Sequence, residues 1–180
     1  MKGIVFTEFL DHVDDAFGPM VVEDMIEASD LPSGGAYTSV GTYDHTEIVQ
    51  LVANLSKLSG VAVADLLHGF GLYLGGRFAE KFGHFFEAAP GLFDLLDSVE
   101  EHIHVEVRKL YPDAALPSII LTDRDESSAR IRYRSPRGMD SLAVGLIEAS
   151  AGYYGDKVNV ACETGGDDEG SYTDLVVTRA

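Results

Sequence analysis

The sequence predicts an α+β domain in which helices come first and a small antiparallel sheet, crossed by one further helix, comes last. Three observations carry this. From Lys2 to Leu110 the apolar residues recur at helical spacing, and Pro112 stops the pattern. After Pro117 the apolar runs shorten to strand length and are separated by turn-forming clusters. Between the second and third of these runs lies one helical stretch, about Asp140 to Tyr154.

The first helix is expected over Lys2 to Phe17, with Val5, Phe6, Phe9, Val13 and Phe17 inward and Gly18 as its stop. A short helix follows from Met20 to Ala28. Ser29 to Gly35 is turn chemistry, a loop within one domain because apolar patterning resumes after it. Asp44-His45-Thr46-Glu47 resembles a capping box, the Asp side chain accepting a backbone N–H and the Glu reaching back, ahead of a helix to about Ser59. Val61 to Phe82 is one further helix. Its Gly75-Gly76 pair costs roughly 1 kcal/mol per residue against Ala, which marks a kink, a helix end or the close approach of another group. Gly69-Phe70-Gly71 lacks the strand, turn and spacing of a dinucleotide-binding loop.

A further helix is expected from about Pro90, suited to a first turn, to Leu110. At about 100° per residue Leu92, Phe93, Leu96, Val99, Ile103, Val107 and Leu110 form one stripe. His104 lies at its flank and His102 roughly 160° away, so one of the two faces inward. Periodicity alone makes His104 a boundary histidine bonded to a carbonyl. The strands are expected over Ile119–Thr122, Ala129–Arg134, Lys157–Glu163 and Ser171–Thr178, with turns at Asp123–Ser127 and Gly165–Gly170.

A chain of 180 residues suits a single domain, 1–180, that buries roughly 70% of its unfolded surface. With 13 basic against 30 acidic residues the net charge is −17, which opposes nucleic acid and anionic membrane surfaces. The one cysteine, Cys162, forbids an internal disulfide and fits a reducing, cytoplasmic setting. Glu8 and Asp11 interrupt the first apolar run, unlike a signal peptide, and no stretch reaches the roughly 18 apolar residues of a membrane span.

Tyr133-Arg134-Ser135-Pro136-Arg137 closes a strand, and alternate residues of an extended chain share a face. Tyr133, Ser135 and Arg137 then offer two hydroxyls and a guanidinium to one side, a set suited to carboxylates, although a polar strand end is the commoner meaning of so short a pattern. His104 to Pro112, the later Pro117 and Tyr133-x-Ser135-x-Arg137, in that order and spacing, resemble the H-NOX family of haem domains, which sense nitric oxide or oxygen and form the sensor of soluble guanylate cyclase. Met1 to Phe9 and Tyr37 to Tyr43 resemble the same family, so the likeness covers nearly the whole chain.

The resemblance implies the H-NOX fold, with haem b (iron protoporphyrin IX) between the helical part and the sheet. His104 would be the iron ligand, Tyr133, Ser135 and Arg137 the propionate clamp, and Pro117 the residue that presses on the porphyrin. Pro117 is otherwise a proline that starts a strand. The other haem face would be lined by Val5, Phe9, Leu74, Phe78, Leu142 and Leu146. Oxygen-binding members carry a tyrosine seven residues beyond the motif serine, where this chain has Leu142. Bound oxygen then lacks a hydrogen bond worth roughly 1.5 to 3 kcal/mol, while nitric oxide depends little on one.

The expected function is a sensor of nitric oxide and carbon monoxide that excludes oxygen and signals, by release of His104, to a separate histidine kinase or cyclic-di-GMP enzyme. It is not an enzyme. The alternatives are a haem oxygen or redox sensor and a haem-free interaction module. Cys162 stands without partners for a structural zinc site, Glu100, His102 and His104 diverge too far for a surface metal site, and Asp167-Asp168-Glu169 reads as a solvated hairpin tip. His12, His45, His68 and His84 show no pairing, and no Gly-x-Ser-x-Gly elbow is present.

Overall fold

The computed structural model describes residues 1–180. Helices α1 (Gly3–Phe17), α2 (Pro19–Glu27), α3 (His45–Ser59) and α4 (Val63–Lys81) come first. A short α5 (Gly83–Ala88), α6 (Leu92–Ser98) and α7 (His104–Leu110) follow. Strands β1 (Ser118–Arg124) and β2 (Ser128–Arg134), helix α8 (Asp140–Tyr153) and strands β3 (Val158–Asp167) and β4 (Gly170–Arg179) complete the chain. The sheet is antiparallel throughout in the order β1-β2-β4-β3. This is the expected α+β architecture, with α5 added and the expected Pro90–Leu110 helix divided.

The elements follow from local chemistry. Gly18 at φ 90° separates α1 from α2, and Gly60 at φ 74° ends α3, conformations that cost glycine little. Asp44 caps α3 by accepting the Thr46 N–H at 2.9 Å. Glu47 does not reach back as a capping box requires. It is buried and accepts instead from the hydroxyls of Ser33 and, at 2.9 Å, Tyr37, because those buried donors outcompete an exposed backbone N–H.

Two apolar cores result, and α8 stands between them. Phe6, Phe9 and Val13 of α1 pack with Ile48, Leu51 and Leu55 of α3, with Leu66, Phe70 and Leu74 of α4, and with Met139. Leu142 and Leu146 of α8 rest on this core, while Ile147 and Ala151 belong to the second, with Leu92, Phe93 and Leu96 of α6 and Ala129, Ile131, Tyr133, Leu175 and Val177 of the sheet. The α4–α8 approach rests on glycine: a Cβ at Gly71 would collide with the Leu142 carbonyl, and one at Gly145 with the His68 carbonyl. Gly75 meets Ala149 of α8, so α8 itself is the close neighbour that the glycine pair signalled, and α4 runs through without a break.

On β2 the buried Ala129, Ile131 and Tyr133 alternate with Arg130, Arg132 and Arg134. Arg132 binds both oxygens of the buried Asp174, at 2.9 and 3.1 Å. Arg130 reaches Glu163 at 2.6 Å, and Arg134 pairs with Asp167. The hairpin tip is thus tied to β2 and is more than a solvated turn.

The expected helix from Pro90 to Leu110 is not continuous. Its first helical residue is Leu92, so Pro90 lies before the helix, and Val99–Ile103 form a π turn closed by the His104 N–H on the Val99 carbonyl. A π turn advances each residue by roughly 80° where an α-helix advances 100°, so five residues lag by roughly 100°. That lag overturns the expected stripe beyond Leu96. It rotates Leu110 outward, to 73% exposure, and brings His104 into line with Leu96, at 7% exposure.

Candidate functional site

The π turn delivers His104 as a buried side chain at the junction of α6 and α7. Its Nδ1 lies 3.0 Å from Oε2 of Glu100. Burial pushes the Glu100 carboxyl up, but hydrogen bonds from Arg108, His104 and the Ile119 N–H hold it below its ordinary value, so it is ionised and can only accept. The proton therefore sits on Nδ1, and Nε2 carries a lone pair with no hydrogen-bond partner. Burial also lowers the His104 pKa, with Glu100 opposing that shift, which favours the neutral imidazole. A neutral, oriented imidazole with a free Nε2 is a donor for a transition metal.

Arg137 supplies the second feature. Its Nε is wholly enclosed and has no hydrogen-bond partner, while its Nη2 donates to the Ala115 carbonyl. Tyr133, Ser135 and Arg137 do not share one strand face, as expected from the spacing, because β2 ends at Arg134 and Gly138 turns the chain at φ 62°. They are gathered all the same. Burial raises the Tyr133 pKa, a hydrogen bond to Ser135 opposes it, and the Ser135 hydroxyl accepts the backbone N–H of Arg137 at 3.3 Å. The Met1 ammonium, which donates to the Tyr43 carbonyl at 2.7 Å, has its pKa lowered first by burial and next by the charge of Arg137. Two hydroxyls and an unsatisfied guanidinium N–H are donor types that suit a carboxylate.

The third feature is apolar. Phe9 and Leu74 are buried in the first core, and Val5, Phe78, Leu142 and Leu146 are partly buried against it. All six belong to or rest on that core, from α1, α4 and α8. Pro117 is half-buried just before β1, two residues from Ile119, whose N–H donates to Glu100 at 3.2 Å. Asp113, in the loop leading to Pro117, accepts from Thr42 at 2.8 Å, which ties that loop to the N-terminal part.

Two contributors escape the pattern reading. Glu100 stands four residues before His104, a spacing that places them on one helix face and is the signal for this contact. Met139 joins the first core from the loop ahead of α8, where no periodicity marks it. His68, without a visible partner in sequence, meets Glu148 across the α4–α8 contact at 2.8 Å, and His12 stacks on Phe70. No single helix is long and apolar enough to cross a membrane.

The comparisons agree with this geometry. A family model described as Haem-NO-binding matches residues 2–162. The H-NOX protein of K. algicida, solved in its unliganded Fe(II) form, is 34% identical with a TM-score of 0.93, over 100% of this chain and 97% of that one. The H-NOX protein of S. oneidensis, solved in the Fe(II)NO state, shares the fold at a TM-score of 0.88 and 24% identity, over 100% and 99% of the two chains. Soluble guanylate cyclase 89Db of Drosophila melanogaster is 41% identical over 64 residues, which span 34% of this chain and only 9% of the cyclase. By sequence and by fold, the chain belongs to the H-NOX family of haem-binding gas-sensor domains.

Proposed function

We propose that this chain, as one domain over residues 1–180, is a cytoplasmic haem b sensor of nitric oxide and carbon monoxide that excludes oxygen. The observation that carries the reading is the pairing of a buried His104, its Nε2 free, with the unsatisfied Nε of Arg137. A group that is at once a metal complex and a dicarboxylate satisfies both. Haem supplies, when bound, the iron to which a diatomic gas attaches. His104 would hold that iron through Nε2. Tyr133, Ser135 and Arg137 would hold the propionates, and Pro117 would abut the ring.

The remaining residues act by what they lack. Val5, Phe9, Leu74, Phe78, Leu142 and Leu146 exclude water and present no hydrogen-bond donor. A gas that needs a donor, as oxygen does, is disfavoured by roughly 1.5 to 3 kcal/mol relative to one that does not. His104 also links the site to the backbone at a π turn, a segment whose hydrogen bonds have already left the α-helical pattern. Release of His104 would let α7 move against β1 and signal to a separate partner, a histidine kinase or a cyclic-di-GMP enzyme. No catalytic activity of its own is proposed, and H-NOX domains are sensors.

The test is uptake and spectroscopy. Protein supplied with haem should bind it one to one, and the reduced form should change its absorption with nitric oxide and with carbon monoxide but not on brief exposure to air. His104→Ala should bind haem only when imidazole is added. Haem uptake by His104→Ala identical to that of the parent, without imidazole, would overturn the assignment. A lasting spectral change in air would overturn the selectivity.

A further inference from the structure

The Glu100 carboxylate is held at three points. His104 Nδ1 donates to Oε2 at 3.0 Å, the Ile119 backbone N–H donates to the same oxygen at 3.2 Å, and Arg108 Nη2 donates to Oε1 at 3.0 Å. Only 28% of its side chain is exposed. A carboxylate fixed between a strand and an arginine cannot swing away from the imidazole, so the ring plane, the tautomer and the direction of Nε2 are set before any metal arrives.

We infer that Glu100 is the positioning residue of His104 and tunes it: the ionised carboxylate draws on the Nδ1 proton, makes Nε2 a stronger donor, and Arg108 moderates the effect from the other oxygen. The inference rests on the reading of His104 as the iron ligand. Its physical basis is that a histidine ligand bonded through its second nitrogen to a carboxylate is more basic than one bonded to a neutral acceptor. The competition is written in the geometry, because the charge that Arg108 draws toward Oε1 is unavailable to Nδ1 at Oε2. Glu100 therefore strengthens the bond whose release carries the proposed signal, and Arg108 weakens it.

The two residues predict effects of opposite sign. In the reduced, haem-loaded protein without gas, the iron–histidine stretching band in resonance Raman spectra should move to lower frequency in Glu100→Gln and to higher frequency in Arg108→Ala. The midpoint potential should rise in the first and fall in the second. Glu100→Gln keeps the size of the side chain and an acceptor for Nδ1 and the Ile119 N–H, while its amide NH2 in place of Oε1 gives up the Arg108 hydrogen bond together with the charge. Where the His104 bond is weaker, its loss on addition of nitric oxide should be about tenfold or more favoured. An unmoved band in Glu100→Gln, or bands that move the same way in both variants, would show a packing role and overturn the inference while leaving His104 in place. Parent protein with no such band at all would remove the reading of His104 as ligand, and this inference with it. Should Glu100→Gln fail to fold, an unmoved or lowered band in Arg108→Ala alone would overturn the proposal.

Discussion

A guanidinium nitrogen that is buried and unbonded costs free energy unless something meets it, and Arg137 Nε is such an atom. Arg137→Ala should therefore leave the fold intact and speed transfer of haem to an acceptor such as apomyoglobin by roughly tenfold to a hundredfold. Arg137→Lys should rescue only part of this, because a lysine keeps the charge but loses the planar fork. Leu142 tests the other side of the proposed site. A hydroxyl placed there by Leu142→Tyr would donate to a polar gas, and release of oxygen from the reduced protein, followed by stopped-flow absorption, should slow by roughly tenfold or more. The residue types of this site are visible in the sequence as His104 and the Tyr133-x-Ser135-x-Arg137 pattern. Their electrostatic setting is not, because it depends on Ala115 and Ile119, whose backbone groups carry no signature.

At the scale of elements, the contact between α4 and α8 is built on backbone approach. A methyl group at Gly145 would strike the His68 carbonyl and lie 2.8 Å from the Leu72 nitrogen, and rigid helix backbone cannot give way as a flexible side chain can. Gly145→Ala should cost about 1–3 kcal/mol and lower the thermal midpoint by roughly 2–12 °C. Gly76 lies one turn along the same region of α4 with open space around it, so Gly76→Ala should gain about 0.5–1 kcal/mol of helix propensity and raise the midpoint. Opposite signs from one chemical change would separate packing from propensity. The π turn is the other lesson at this scale. A stripe of Leu92, Phe93 and Leu96 predicts α6 correctly, but a single backbone insertion re-phases all that follows, and apolar Leu110 ends up outside.

The whole molecule carries a charge of −17, and its buried carboxylates depend on basic partners. Burial pushes Glu8 up, but Lys81 and Arg77 hold it below its ordinary value, while Arg132 and then Arg130 lower Asp174 against its burial. Depressed acids contribute stability that is present above their unfolded value, near 4, and lost as pH falls through the lower folded values. His12, lowered by burial against Asp15, adds a shallower loss that begins as pH falls through about 6.5, its unfolded value. The urea midpoint should thus decline gently from about pH 6.5 and steeply below about pH 4. Glu8→Gln should flatten the second decline, and His12→Phe should reduce the first, leaving the part due to the buried His104. The sequence alone determined the order of helices and strands, the family and the residue types of the site, because periodicity, turn residues and motif spacing are local properties of the chain. Only the tertiary structure decided how deeply His104 is buried, that Glu100 holds it and that Arg137 keeps a bare N–H. Those outcomes come from a π turn and from backbone groups brought together across the fold, and neither leaves a mark in residue order.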